Sequence, residues 1–389
     1  MRVRNKLQAI GMILGLTIAV GAQAQHIGKY VPIPAGSDAD HAMREITAAT
    51  DPAQKLALID KFGSGLGQGE MQIVTDELYV NYYLAQKNYP KTYEYGEKLF
   101  AIDPDNFLNA MSMIRAASES GDTNKLLSYG EKTSGILRRF NASAAPSGTS
   151  EDQWKQEKQN ILQANADNIR YVEQAVYAGV YQTKDPATKA AQLAKFAELF
   201  PASSYANQAL GVAAFSYQQA QNTPKMLEVA NGLLTKDLNN LGMLLLLADY
   251  YGEKGEQLDK AEAYAKKAAG LADTAPKPEG VADDQWKQQM TLQKGLAFSA
   301  LGQVNLQRKD NAAAVQNLQT ATPLVKSDNF SYARNQYRLA FAFLNLKKLP
   351  EAKQALTDAA SVDSPYRQPA LDKLKGLPAK APVARKRAS

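Results

Sequence analysis

Asp51-Pro52-Ala53-Gln54-Lys55 returns 134 residues later as Asp185-Pro186-Ala187-Thr188-Lys189, and Lys61-Phe62 at the end of that stretch returns as Lys195-Phe196. Asp103-Pro104-Asp105-Asn106 keeps the offset and reappears as Asp237-Leu238-Asn239-Asn240. Both tryptophans nearly obey it, since Asp152-Gln153-Trp154-Lys155-Gln156 recurs as Asp284-Gln285-Trp286-Lys287-Gln288, a shift of 132. Within each copy the smaller unit is a helix pair of about 34 residues. A period of that length means a helical solenoid, which buries a core only by stacking neighbouring units and leaves a long concave surface for a partner.

The clearest unit runs from Ile73 to Asn106. Leu78, Tyr79, Tyr82 and Tyr83 fall at i, i+1, i+4 and i+5 of one helix, Lys87-Asn88-Tyr89-Pro90 breaks it, and a second helix from Lys91 to Ala101 ends at Asp103-Pro104. From Ala39 onward such helices alternate with short turns, and no stretch reads as a strand.

With Pro104 at position 32, this segment resembles a tetratricopeptide repeat: Tyr79 falls at position 7, Tyr83 at 11, Tyr89 at 17 and Leu99 at 27, with Val80 and Thr92 departing from the small residues of positions 8 and 20. The unit Gly295 to Asp328 fits more closely, with Phe298, Leu301, Gly302, Ala314, Leu318 and Ala321 at 4, 7, 8, 20, 24 and 27. In Ala333 to Tyr366, Leu339, Ala340, Phe343, Ala352, Leu356 and Ala359 occupy 7, 8, 11, 20, 24 and 27. The resemblance implies an all-α, right-handed superhelical solenoid of about eight helix pairs starting near 36, 73, 107, 170, 207, 241, 295 and 333, and the N-terminal segment described below makes the chain read as an exported bacterial member of that family. A one-residue insertion falls near Leu258. Three modules follow, 39–140, 141–274 and a truncated 275–376. Each later module opens with a Pro/Gly loop and the Asp-Gln-Trp-Lys-Gln helix start, which Ser150 or Asp283 can cap. The Trp offset exceeds the pair offset of 125 by seven residues, so the long helix opening the second module is expected to carry two extra turns with the same face inward.

Residues 1–24 read as a secretory signal: Arg2, Arg4 and Lys6, then an apolar stretch from Leu7 to Val20, then Ala22-Gln23-Ala24 before Gln25. That apolar run of about 14 residues is short for a bilayer-spanning helix of roughly 20. Export to the periplasm or medium is the expectation, without stable membrane insertion once the signal is cut. Absence of Cys excludes a structural disulfide and lipid attachment at the mature N-terminus. The leader 25–38, with Pro32, Pro34 and Gly36, reads as extended. Net charge is +6, becomes +3 without the signal, and falls to −2 without Lys375, Lys380, Arg385, Lys386 and Arg387. The basicity therefore belongs to the tail 377–389 and its flank, a Pro/Ala-rich segment expected to be disordered.

Enzyme chemistry lacks its parts. His26 and His41 are the only histidines, both N-terminal, which disfavours a metal site or a His-based nucleophilic centre, and no cofactor is expected. Gly63-Ser64-Gly65-Leu66-Gly67-Gln68-Gly69-Glu70 lacks the Gly-Lys-Ser/Thr ending of a phosphate loop and reads as a flexible turn. Carboxylate pairs such as Asp60 with Glu70, or Asp283 with Asp284, read as solvated surface. Of the tyrosines from 79 to 95, only Tyr82, Tyr93 and Tyr95 stay free of positions that the repeat packs inward. Trp154 and Trp286 share one context and read as anchors of their helices.

In proteins that it resembles, ligand peptides lie against the first helix of each pair. The resemblance places Asn81, Arg115, Tyr171, Tyr181, Phe215, Gln218, Asp249, Gln303, Arg334, Tyr337 and Phe341 on that surface, with Glu77, Glu119 and Gln174 among its further members. Asn81 matches one element of a carboxylate clamp, but Glu77 and Arg115 replace the Lys and second Asn the clamp needs. The implied function is a non-catalytic scaffold or adaptor that binds an extended polypeptide or protein partner, not nucleic acid. Alternatives from other classes are a structural envelope component whose basic tail meets anionic lipid or cell-wall polymer, and an accessory subunit of an envelope enzyme.

Overall fold

The computed structural model describes residues 26–378, so the expected signal segment and all of the expected tail beyond Pro378 lie outside the described residues. Those residues form eighteen α-helices and no strand. Contacts divide the chain into two compact units at Ala209/Leu210, within the second of the three sequence modules.

The first unit holds α1 (Asp38–Ala48), α2 (Pro52–Ser64), α3 (Gln72–Ala85), α4 (Tyr89–Ile102), α5 (Phe107–Ser120), α6 (Thr123–Ala142), α7 (Glu151–Ala164), α8 (Ala166–Tyr181), α9 (Pro186–Leu199) and the start of α10 (Ala206–Gln219). The second holds the rest of α10, α11 (Thr223–Lys236), α12 (Leu241–Lys254), α13 (Leu258–Thr274), α14 (Asp283–Gln307), α15 (Asn311–Leu324), α16 (Asn329–Asn345), α17 (Leu349–Ala360) and α18 (Arg367–Lys375). The eight pairs read from the sequence are α1/α2, α3/α4, α5/α6, α8/α9, α10/α11, α12/α13, α14/α15 and α16/α17. The helices of the pairs α3/α4, α5/α6, α12/α13, α14/α15 and α16/α17 pack directly on each other, as a stacked array of hairpins requires.

The repeated Asp-Pro motif is a helix start. Asp51 accepts from the Gln54 N–H at 2.7 Å and Asp185 from the Thr188 N–H at 2.8 Å, and each is followed by proline at the first helical position, where its missing N–H costs nothing. Turn geometry repeats at the same offset: Lys87 (φ 54°) and Gly121 (φ 72°) recur as Gln221 (φ 56°) and Gly255 (φ 70°), 134 residues on. Each of these left-handed residues reverses the chain between the helices of a pair. The one-residue insertion is absorbed at the α12/α13 turn, where Gln257 adds a second left-handed residue at φ 44°.

Small residues let the helices approach. Ala314, Ala321, Ala340, Ala352 and Ala359 have no exposed surface, and a Cβ on Gly302 would lie 2.4 Å from Leu318 Cγ. Around them Leu318, Leu339, Phe343 and Leu356 close the core under α14 to α18. In the first unit Phe62, Leu99, Phe107, Met113, Leu193 and Phe196 are fully buried, each contributing about 1.5–3 kcal/mol.

Three expectations are corrected. The second module does not open with one long helix: Asn165 (φ −97°, ψ 7°) separates α7 from α8, and its side-chain amide donates to the Ile161 carbonyl at 2.9 Å, competing with the backbone ladder. α7 buries only Ile161, while α6 packs directly on α8 and α9, so α7 stands beside the stack instead of continuing the inward face. The equivalent α14 is continuous over 25 residues. Ser150 caps α7 in a capping box with Gln153, whereas Asp283 is not a cap: α14 is preceded by Ala282, and the Asp283 carboxylate pairs with Lys277. The glycine run 63–70 is a packed turn, held by the buried Thr75 hydroxyl donating to the Gly67 carbonyl at 3.0 Å. Trp154 fits its expected anchoring role, donating from Nε1 to the Ser143 carbonyl at 3.0 Å, with its ring edge-on to Phe140.

Candidate partner-binding surface

In the first unit, Asn81 on α3 is exposed. Arg115 on α5 is exposed too, but its Nε already pairs with Glu119 one turn on at 2.8 Å. Tyr89 donates its hydroxyl to the same carboxylate at 3.3 Å, and these three side chains with Leu84, Ala85 and Lys87 line a depression of about 370 Å³. On α8, which packs on α5, burial pushes the Tyr171 hydroxyl pKa up, with Arg115 pulling down and Glu119 pushing further up. Tyr181, at the end of α8, is 42% exposed, and the Lys189 ammonium lies 4.8 Å above its ring.

Glu77 is not open surface. Its carboxylate accepts from the Asn106 side-chain amide at 2.9 Å, and burial holds its pKa above the usual carboxylate range. Tyr93 and Tyr95 are also spoken for, since Tyr95 stacks on Tyr79 (4.2 Å) and Tyr83 (5.6 Å) while Tyr93 stacks on Tyr129 (5.9 Å).

In the second unit, Phe215 on α10 is 40% exposed and Gln218 one turn later is exposed. Gln303, Tyr337 and Phe341 come together with Gln307, Asn345 and Tyr366 around a cleft of about 330 Å³ between α14 and α16. Tyr337 packs edge-on to Phe341 at 5.0 Å, so both rings are half-buried instead of standing free.

Arg334 lines this cleft with Arg338 and Glu253, and neither it nor Asp249 presents an unpaired charge. Arg334 Nη1 bonds Asp249 Oδ2 at 2.7 Å, and Arg338 Nη2 bonds Asp249 Oδ1 at 2.8 Å and also reaches Glu253. Arg338 Nη1 also donates to the Ser299 hydroxyl at 3.1 Å. Burial pushes the Asp249 carboxyl up, but the two guanidiniums outweigh it and hold the pKa at about 2. Two cations on α16 thus neutralise two anions on α12, with Ser299 of α14 beside them. Sequence reasoning passed over Glu253 and Arg338, yet a signal existed: Asp249/Glu253 and Arg334/Arg338 are i, i+4 pairs of opposite sign on the first helices of their pairs, placed to meet when those helices stack.

Amide donors, aromatic rings and paired charges of this kind suit main-chain carbonyls and apolar side chains of a bound segment. Among the described residues no group of three or more His, Cys, Asp or Glu is arranged to hold a metal, and no helix is long and apolar enough to cross a membrane.

No protein-family model matches the chain, and no curated protein matches it in sequence. Among solved structures it is similar to a chain of the APC/C hetero-tetramer Cut9–Hcn1 at 13% identity and TM-score 0.43, over 88% of this chain and 63% of that one. It is similar to yeast Tom70 at 11% identity and TM-score 0.36, over 89% and 65%, and to the P58(IPK) TPR domain at 13% and 0.28, over 87% and 98%. The chain spans less than two thirds of the Cut9–Hcn1 and Tom70 chains, and with TM-scores this low none of these likenesses bears on its partner.

Proposed function

We propose that the chain is an exported, non-catalytic scaffold that binds an extended polypeptide along the first helices of its pairs. One observation carries the reading: Tyr171 and Tyr181 in the first unit, and Phe215 in the second, lie on first helices and remain exposed, open to a partner's apolar side chains. Exposed amides, Asn81 in the first unit and Gln218 in the second, supply hydrogen bonds to a main chain, and in the second unit Gln303, Tyr337 and Phe341 supply a half-closed cleft for side chains. Capture from an envelope extract, using the mature chain with and without residues 377–389, tests it. A protein partner retained without the tail is expected; loss of all capture with the tail would move the function to the basic segment.

Export rests on the basic, apolar, Ala-x-Ala order of the first 24 residues. N-terminal sequencing of the protein recovered outside the cytoplasm is expected to start near Gln25, and recovery with Met1 intact would refute cleavage.

A further inference from the structure

The leader ahead of α1 is bound, not merely extended. Ile27 is 2% exposed, and its carbonyl accepts from the Phe107 backbone N–H at 3.1 Å, one of the amides that the start of α5 leaves without a partner inside the helix. Lys29 donates its backbone N–H to Asp103 Oδ2 at 3.0 Å and its ammonium to the Ile102 carbonyl at 2.7 Å, at the C-terminal end of α4 where the helix dipole favours a cation. Between them Gly28 has φ +118°, and a Cβ there would lie 2.8 Å from Asp103 Oδ2 and 2.9 Å from the Asn106 Cα. Three consecutive positions are therefore read by enclosure of an aliphatic side chain, by a backbone that only glycine adopts without strain, and by a cation at a helix end.

We propose that the α4–α5 junction is a binding site for an extended aliphatic–Gly–basic segment, filled in this structure by Ile27-Gly28-Lys29 of the chain's own leader, which leaves it without unfolding the helices beneath. Main-chain hydrogen bonds combined with a side-chain pocket are how extended peptides are recognised in general. Some of these contacts are weakly held: the Lys29 ammonium bond is exposed, and the partly buried His26 has an Nε2 without a partner, a cost that release removes. α3, α4 and α5 also pack directly on one another. The site shares none of the exposed rings on which the proposed scaffold function rests, so either can fail without the other.

The test uses the full chain. Gly28→Val is expected to speed tryptic cleavage after Lys29 on the order of tenfold, because it forces a β-branched residue into a strained backbone against Asp103, while helix content stays unchanged. The opened variant is expected to bind a synthetic peptide of residues 25–34, and the same peptide carrying Gly28→Val is not. Unchanged cleavage at Lys29, acceleration only together with cleavage at lysines inside α4 and α6, or no peptide binding by the opened chain would overturn the proposal. Hydrogen exchange of the unaltered chain gives a check independent of any variant's folding: the Phe107 amide should exchange faster than that of Met113 within the same helix, and equal protection would show that the leader is part of the core.

Discussion

Asp249→Asn is expected to destabilise the second unit by about 3 kcal/mol, because it leaves two buried or nearly buried guanidiniums without their shared counter-ion. The Asp249 side chain is 18% exposed, Arg334 15% and Arg338 5%. The effect sits at the low end of the roughly 3–5 kcal/mol range for broken buried pairs, since Glu253 and Ser299 still hold Arg338. Its sign with pH follows from a depressed carboxylate. The contribution of Asp249 is fully present above its ordinary value of 3.8 and is lost as pH falls toward about 2. Denaturant titrations at several pH values should show that acid-side loss in the parent chain and its absence in the variant. The arrangement is not optimal for stability, because the Nε atoms of Arg334 and Arg338 are buried without partners. Adding Arg338→Met to Asp249→Asn is therefore expected to recover part of the loss, and a purely additive double variant would show that the two residues do not form one network.

Ala314→Leu and Ala352→Leu are each expected to cost about 1–3 kcal/mol by overpacking sites with no exposed surface. Both alanines lie in the core where α14 to α18 meet, and added methylenes must displace rigid neighbours such as Leu318 or Leu356. Ala312→Leu, on the exposed face of the same α15, serves as control and should shift stability by no more than about 0.5 kcal/mol. Unchanged melting in both core variants would mean that the repeat register is misplaced.

The fold was legible because each level of the sequence points the same way. Asp51-Pro52 and Asp185-Pro186 mark helix starts by cap chemistry alone, and alanines at positions 20 and 27 mark close helix approach without any knowledge of the neighbour. Asn165 was not legible as a break, since its effect depends on one side-chain bond to Ile161 competing with a ladder that the surrounding residues favour. The candidate surface was only partly legible. Register identifies the face a residue occupies, so Tyr171, Tyr181 and Phe215 emerge as exposed. It does not identify what stacks opposite, which is why Asp249 and Arg334, 85 residues apart, turn out to satisfy each other. The leader's docking left no periodic signal, because its recognition runs through backbone groups and one glycine.

Partner capture by Phe215→Ala and Tyr181→Ala chains, read alongside their melting temperatures, tests the scaffold reading most directly. Both rings are about two-fifths exposed, so truncation should cost less packing than at a fully buried ring. The account predicts capture weakened by about 1–2 kcal/mol, roughly 5- to 30-fold in affinity, with melting lowered only slightly. Normal capture together with a lowered melting temperature would contradict it, by showing that these rings serve the fold and not a partner.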